Sequence, residues 1–85
     1  MIYKLEPTKT FIKALKKLSN NEQKMVGKKL KILAKNPFHP SLRTKKVQRL
    51  KGVFEASVNM DIRILWKHNG DRLILLIDIG RHDII

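Results

Sequence analysis

The chain has 85 residues, enough for one domain (1–85) and too few for a second domain and a linker. A chain this short buries only roughly 60% of the surface its unfolded form exposes, so its stability is modest. It has no cysteine, which excludes disulfides, thiolate metal sites and cysteine nucleophiles. Lys+Arg number 19 against 7 Asp+Glu, a net charge of +12, while 42% apolar residues supply a core and exclude a disordered basic tail.

No apolar run approaches the ~20 residues that a membrane span needs, and the N-terminal MIYKLEPTKT has no signal-peptide core. A soluble cytoplasmic protein with no membrane partner is therefore expected. The charge is uneven. Residues 1–52 hold 15 Lys/Arg and only Glu6 and Glu22; residues 53–85 hold four Lys/Arg and five acids. A basic half before a nearly neutral, apolar half points to a polyanion or an acidic partner. The plainer alternative is a solvated lysine surface.

In chain order, Met1–Leu5 alternates as a short strand and Glu6-Pro7-Thr8 breaks it. Residues 8–18 place Phe11, Leu15 and Leu18 on one face, with Ile12 beside them and lysines elsewhere, as an amphipathic helix does. Ser19-Asn20-Asn21-Glu22 fits a capping box, so a second helix starts near residue 20. It buries Met25, Val26, Leu30 (or Ile32), Leu33 and Ala34, exposes Lys24, Lys28, Lys29, Lys31 and Lys35, and stops at Asn36-Pro37. The two-proline segment Asn36–Ser41 is a loop.

Arg43–Leu50 is basic and weakly strand-like. Val53–Met60 alternates with Phe54, Ala56, Val58 and Met60 on one face. Asp61–Lys67 sets Ile62, Ile64 and Trp66 against Arg63 and Leu65. His68-Asn69-Gly70-Asp71 suits a type I′ hairpin turn. Leu73–Ile79 is apolar on both faces, as a central strand is, and Gly80–Ile85 is a short tail. The order predicts an α+β fold: an N-terminal strand, a two-helix hairpin, then a four-stranded antiparallel meander, with the helices packed on one sheet face.

No phosphate-binding glycine loop, HExxH or GxSxG motif is present, and His39, His68 and His82 lack ligand-like spacing, so neither a metal nor another cofactor is expected. RNA, however, carries its own nucleophile in the 2′-OH. Cleavage by that route needs in-line positioning, a base, an acid and cations around the phosphorane. Arg63 suits a scissile phosphate, or pairs with Glu55 or Asp61 as an ordinary strand arginine. His82 suits a general acid, or is a solvated histidine. Asp61 is a candidate carboxylate, or a turn residue bonding its own backbone. Arg43, Lys45, Lys46, Arg49 and Lys51 track phosphates, or guard an edge strand.

With those residues in view, the chain resembles the RelE/ParE toxin superfamily of bacterial type II toxin–antitoxin systems over essentially its whole length. The resemblance rests on Leu50-Lys51-Gly52-Val53-Phe54-Glu55-Ala56, on Asp61-Ile62-Arg63-Ile64-Leu65-Trp66 and on Asp78-Ile79-Gly80-Arg81-His82, in that order. Within the superfamily it is similar to the RelE/YafQ branch, whose members cleave mRNA, mostly in the ribosomal A site. The resemblance implies a RelE-like fold and catalytic roles for Arg63, His82, Asp61 and Lys45. The basic segment adds expected RNA contacts from Arg43, Lys46, Arg49 and Lys51, with Arg81 beside them.

Two positions depart from the pattern. Ser57 stands where YafQ-like members carry histidine, which leaves Glu55 and Lys45 as candidate bases. Ile84-Ile85 stand where many relatives carry a base-stacking aromatic. The implied function is a ribosome-dependent, metal-free endoribonuclease toxin that inhibits translation. Its partners would be the ribosome, mRNA and a cognate acidic antitoxin, with operator DNA bound only through the antitoxin complex. A ParE-like gyrase inhibitor and a non-toxic basic nucleic-acid-binding domain are the alternatives.

Overall fold

The structure is a computed structural model and describes residues 2–82. Met1, Asp83 and the Ile84-Ile85 pair lie outside the described residues. Strand β1 (Lys4–Pro7) is followed by helices α1 (Lys9–Lys16) and α2 (Asn20–Lys35), a 3-10 turn at Pro40–Leu42, and strands β2 (Lys45–Lys46), β3 (Phe54–Ser57), β4 (Ile62–His68) and β5 (Leu73–Arg81). They form one five-stranded sheet in the order β1-β5-β4-β3-β2.

The α+β class and the element order agree with the sequence reading, and β2 to β5 form the antiparallel meander. The sheet as a whole is mixed, because β1 joins it parallel to β5, pairing Lys4–Pro7 with Leu73–Leu76. No helix among the described residues is long and apolar enough to cross a membrane.

Thr8 ties the first strand to the first helix. Its hydroxyl oxygen accepts from Phe11 N at 3.0 Å as the α1 N-cap and donates to Ile77 O at 2.8 Å. Its amide donates to Leu76 O at 3.0 Å. Ile77 is the residue that the β4–β5 register skips: Leu65 pairs with Asp78, and Trp66 with Leu76. One extra residue on β5 makes a β-bulge and takes a carbonyl out of the ladder, and Thr8 satisfies it.

The bulge also explains why this segment reads as apolar on both faces. Before it, Ile74 and Leu76 are buried; after it, the phase shifts and Ile79 is buried. Asp78 and Gly80 thereby come to lie opposite Leu65 and Arg63, and Arg81 opposite Ile62.

The capping box starts α2 as expected: Ser19 Oγ accepts from Glu22 N at 3.1 Å, and Glu22 Oε1 accepts from Ser19 N at 2.9 Å. Phe11 of α1 and Val26 and Leu33 of α2 pack on Ala56, Ile62, Ile64, Trp66, Ile74, Leu76 and Ile79, with Leu42 and Val58 closing the cluster. Trp66 stacks on Phe54 with ring centroids 4.8 Å apart, and Phe38 meets both rings edge-on.

Several local expectations change. Arg43–Leu50 contributes only a two-residue strand, because its remainder curls into a turn in which Val47 N donates to Val53 O. Met25 is exposed and Met60, expected on the buried face, is 90% exposed, since β3 ends at Ser57 and the chain leaves the sheet. The β4–β5 reversal is longer than a two-residue turn. Asn69 N donates to Leu73 O, and the positive φ values fall on Gly70 (82°) and Arg72 (58°).

Thr8→Ala should remove a helix cap and strand a carbonyl at the bulge, at a cost of about 1–2 kcal/mol in urea unfolding, with Thr8→Ser retaining most of it. Trp66→Ala should cost about 3–5 kcal/mol, which is comparable with the whole stability of so small a domain. That variant should give no cooperative unfolding transition.

Candidate active site

Alternation along β4 builds the site. With Ile62, Ile64 and Trp66 committed to the helices, Arg63 must project from the opposite sheet face. Its side chain is only 15% exposed. Nη1 donates to Asn59 O at 2.7 Å and Ile62 O at 3.2 Å, which fixes the guanidinium plane, and Nε lies 3.9 Å from Glu55 Oε1. Two cross-strand neighbours have small side chains or none: Ser57 on β3 and Gly80 on β5. The guanidinium is therefore held firmly but not roofed over by its own sheet.

Arg63 lines a cleft of about 260 Å³ together with Lys29, Ser41, Arg43, Ser57 and the β3–β4 loop from Val58 to Met60. Three cations from three different elements meet there, and no carboxylate lines it among the described residues. Arg43 caps the 3-10 turn with φ 48°, a left-handed conformation that costs a non-glycine residue energy. His39 stabilises the same turn locally: its Nδ1 accepts from Ser41 N at 3.1 Å.

The other sequence candidates separate into two groups. Lys45 sits beside Arg63 through a shared partner, since Glu55 Oε1 lies 3.5 Å from Lys45 Nζ. Lys45 itself is 69% exposed and flanks Lys46 in the edge strand. Asp61 and Arg81 belong to a different cluster. Arg81 Nη1 donates to Asp61 Oδ2 at 2.7 Å and to Glu22 Oε2 at 2.8 Å, so one guanidinium clamps the end of β5 to the start of β4 and to the first turn of α2.

Arg81 stands on the helix side of the sheet, opposite Ile62, whereas Arg63 stands on the open side. His82 follows the clamp. Its amide donates to Asp61 O at 2.7 Å, and it lies two residues beyond Gly80, the register partner of Arg63. His82 is exposed and does not line the cleft. Arg49 and Lys51 lie on the exposed turn after β2.

Sequence reasoning missed two features. Lys29, assigned to a solvated helix face, is half-buried and donates from Nζ to Ser41 O at 3.2 Å. Glu22, assigned only a capping role, also holds Arg81. No local pattern announces either contact, because each joins residues remote in the chain.

The Arg81 guanidinium and the Ser19 amide together hold the Glu22 carboxyl below its ordinary value, and Glu22 in turn raises Arg81. A carboxyl depressed by folding stabilises the fold above its unfolded pKa and loses that contribution as pH falls through the folded value. Melting temperature should therefore fall as pH drops through and below the ordinary glutamate range. Glu22→Gln should be less stable than the parent at pH 7 and show a shallower acid decline, measured by circular dichroism melts across pH.

No family model and no curated protein matches the chain. Solved structures do. A chain of the archaeal RelE–RelB complex from Pyrococcus horikoshii OT3 is 20% identical with a TM-score of 0.79, covering 95% of this chain and 96% of that one. YafQ from E. coli strain BL21(DE3) is 20% identical with a TM-score of 0.79, covering 96% of each chain. A YoeB/ParE toxin from Agrobacterium tumefaciens is 12% identical with a TM-score of 0.80, covering 93% of this chain and 98% of that one. At these identities the likeness is one of fold, and it extends over nearly the entire chain: the protein has the RelE-like toxin fold.

Proposed function

We propose that this protein is the toxin of a type II toxin–antitoxin system and that it cleaves mRNA, in the ribosomal A site, through the RNA's own 2′-OH. The observation that carries the reading is the semi-buried, backbone-anchored Arg63 in a cation-lined cleft, on a RelE-like fold. The fixed guanidinium charge attracts a phosphate and stabilises the charge that grows on the phosphorane.

In the proposed reaction the 2′-oxygen attacks the adjacent phosphorus and the 5′-oxygen of the next nucleotide leaves. A 2′,3′-cyclic phosphate and a 5′-hydroxyl end result. Glu55 accepts the 2′-proton, with Lys45 beside it as a local positive charge, and His82 returns a proton to the leaving oxygen. Asp61 takes the role of holding Arg81, and with it the end of β5 that carries His82, rather than acting on RNA directly. Arg43, Lys46, Arg49 and Lys51 supply the long-range attraction to a phosphate-walled decoding site.

An acidic antitoxin fits the opposite flank. β1 pairs with β5 only as far as Leu76, and beyond it a groove of about 480 Å³ runs between α1 and the end of β5. Ala14 and Leu18 line it with Lys13 and Lys17 at hand, which suits a partner that is apolar at its centre and acidic at its rim.

Expression without an antitoxin should arrest growth, and primer extension on cellular mRNA should show new 5′ ends inside translated codons. Arg63→Ala should cut cleavage by on the order of 10²-fold or more while leaving the fold intact, and His82→Ala should lower it as well. Undiminished toxicity of both variants would refute the nuclease reading. Inhibition of DNA gyrase supercoiling with intact mRNA would put the ParE-like reading in its place.

A further inference from the structure

We propose that the cleft beside Arg63 is a nucleotide subsite: Lys29 and Arg43 hold a phosphate of single-stranded RNA that flanks the reacting one, and Met60 lies against a base. This inference rests on the RNA reading above and adds to it the residues that set which stretch of the strand is held.

Lys29 is the first ground. Its neighbour Lys28 is exposed, as expected of a lysine-rich helix face, yet Lys29 is half-buried and its ammonium is brought to Ser41 O at the cleft wall. A lysine ammonium has three donors, so one bond to a carbonyl leaves others for an anion. The position of the charge is thus set before any ligand arrives.

Arg43 is the second. It occupies a left-handed conformation (φ 48°) that glycine would adopt without cost. Strain of this kind persists where surrounding structure imposes it and concentrates at functional sites. Here it brings a guanidinium to the same cleft as Lys29 and Arg63.

Met60 is the third. It is 90% exposed, the largest exposure of any apolar side chain described, and it stands at the rim of that cleft. The loop beneath it is rigidly tied: Asn59 Oδ1 accepts from both Asp61 N and Ile62 N at 2.8 Å. A thioether held out into water from a tied loop is a poor arrangement for stability but a good one for a flat, polarisable ring. A cleft of about 260 Å³ lies just below the ~300–1,000 Å³ of ordinary small-ligand sites. That is room for one unstacked nucleotide.

The test uses the whole protein and an oligoribonucleotide methylated at every 2′-oxygen, which it cannot cut. Affinity is read by fluorescence anisotropy over a range of salt. The double variant Lys29→Gln/Arg43→Gln should bind more weakly, and its plot of log affinity against log salt should be shallower by about 0.7, the value of one phosphate contact on a single strand. Lys28→Gln should leave that slope unchanged. Met60→Ala should weaken binding roughly two- to tenfold at every salt concentration without altering the slope.

Arg43→Gly guards against misfolding. It relieves the backbone while deleting the cation, so it should melt no lower than the parent and still lose affinity. A parental slope in the double variant overturns the phosphate assignment, and parental affinity in Met60→Ala overturns the base assignment. Cleavage of the unmodified oligomer in ribosome-containing extract separates this inference from the one beneath it. Binding through these side chains with no cleavage sinks the nuclease and leaves the subsite. Cleavage by a double variant that binds like the parent does the reverse. No binding by the parent overturns the subsite, and cleavage in the extract alone decides the nuclease.

Discussion

Burial of every second side chain of β4 is the constraint on which the rest of the molecule depends. Ile62, Ile64 and Trp66 are almost wholly withdrawn from water under the helices. A strand cannot turn over without moving all of them at once. Arg63 is therefore committed to the open face by hydrophobic energy spent on its neighbours. Its own hydrogen bonds to Asn59 O and Ile62 O only aim a group whose side of the sheet is already decided. The bulge at Ile77 completes the arrangement, because it places Gly80 rather than a bulky residue opposite that arginine.

Three of the seven acids of this very basic chain are used at junctions. Glu22 caps α2 and grips Arg81, Asp61 grips the same guanidinium from the start of β4, and Glu55 stands between Lys45 and Arg63. With 19 cationic side chains on 85 residues, mutual repulsion opposes compaction. Carboxylates placed where strand meets helix, or strand meets strand, offset it locally. Among the described residues the cleft is lined by cations without a carboxylate, so the repulsion that remains is concentrated where an anion would relieve it.

Much of this was legible from residue order. Helix α2 begins where the Ser19/Glu22 spacing says it should, and the alternation of Ile62, Arg63, Ile64 and Trp66 gave the two faces of β4 correctly. Contacts between distant residues left no such trace. Strand β1 bonds a segment almost seventy residues away in parallel, and nothing within its four residues declares a partner or a direction. The bulge made Leu73–Ile79 look apolar on both faces, because a pattern of period two cannot register an inserted residue. Met60 looked buried by counting forward from Phe54, but the strand ends three residues before it. Lys29 and Arg43 likewise matter through convergence: one belongs to a helix, the other to a 3-10 cap, and only the folded chain makes them neighbours of Arg63.

Trp66 is the chain's single tryptophan, fully withdrawn from solvent and stacked on Phe54, one strand face away from the arginine cleft. Nature has thus provided an intrinsic optical reporter of the helix–sheet interface that faces away from ligand. Its emission should redden when the domain opens and stay constant when an anion settles on the other side, so folding and occupancy can be followed in one cuvette as separate signals.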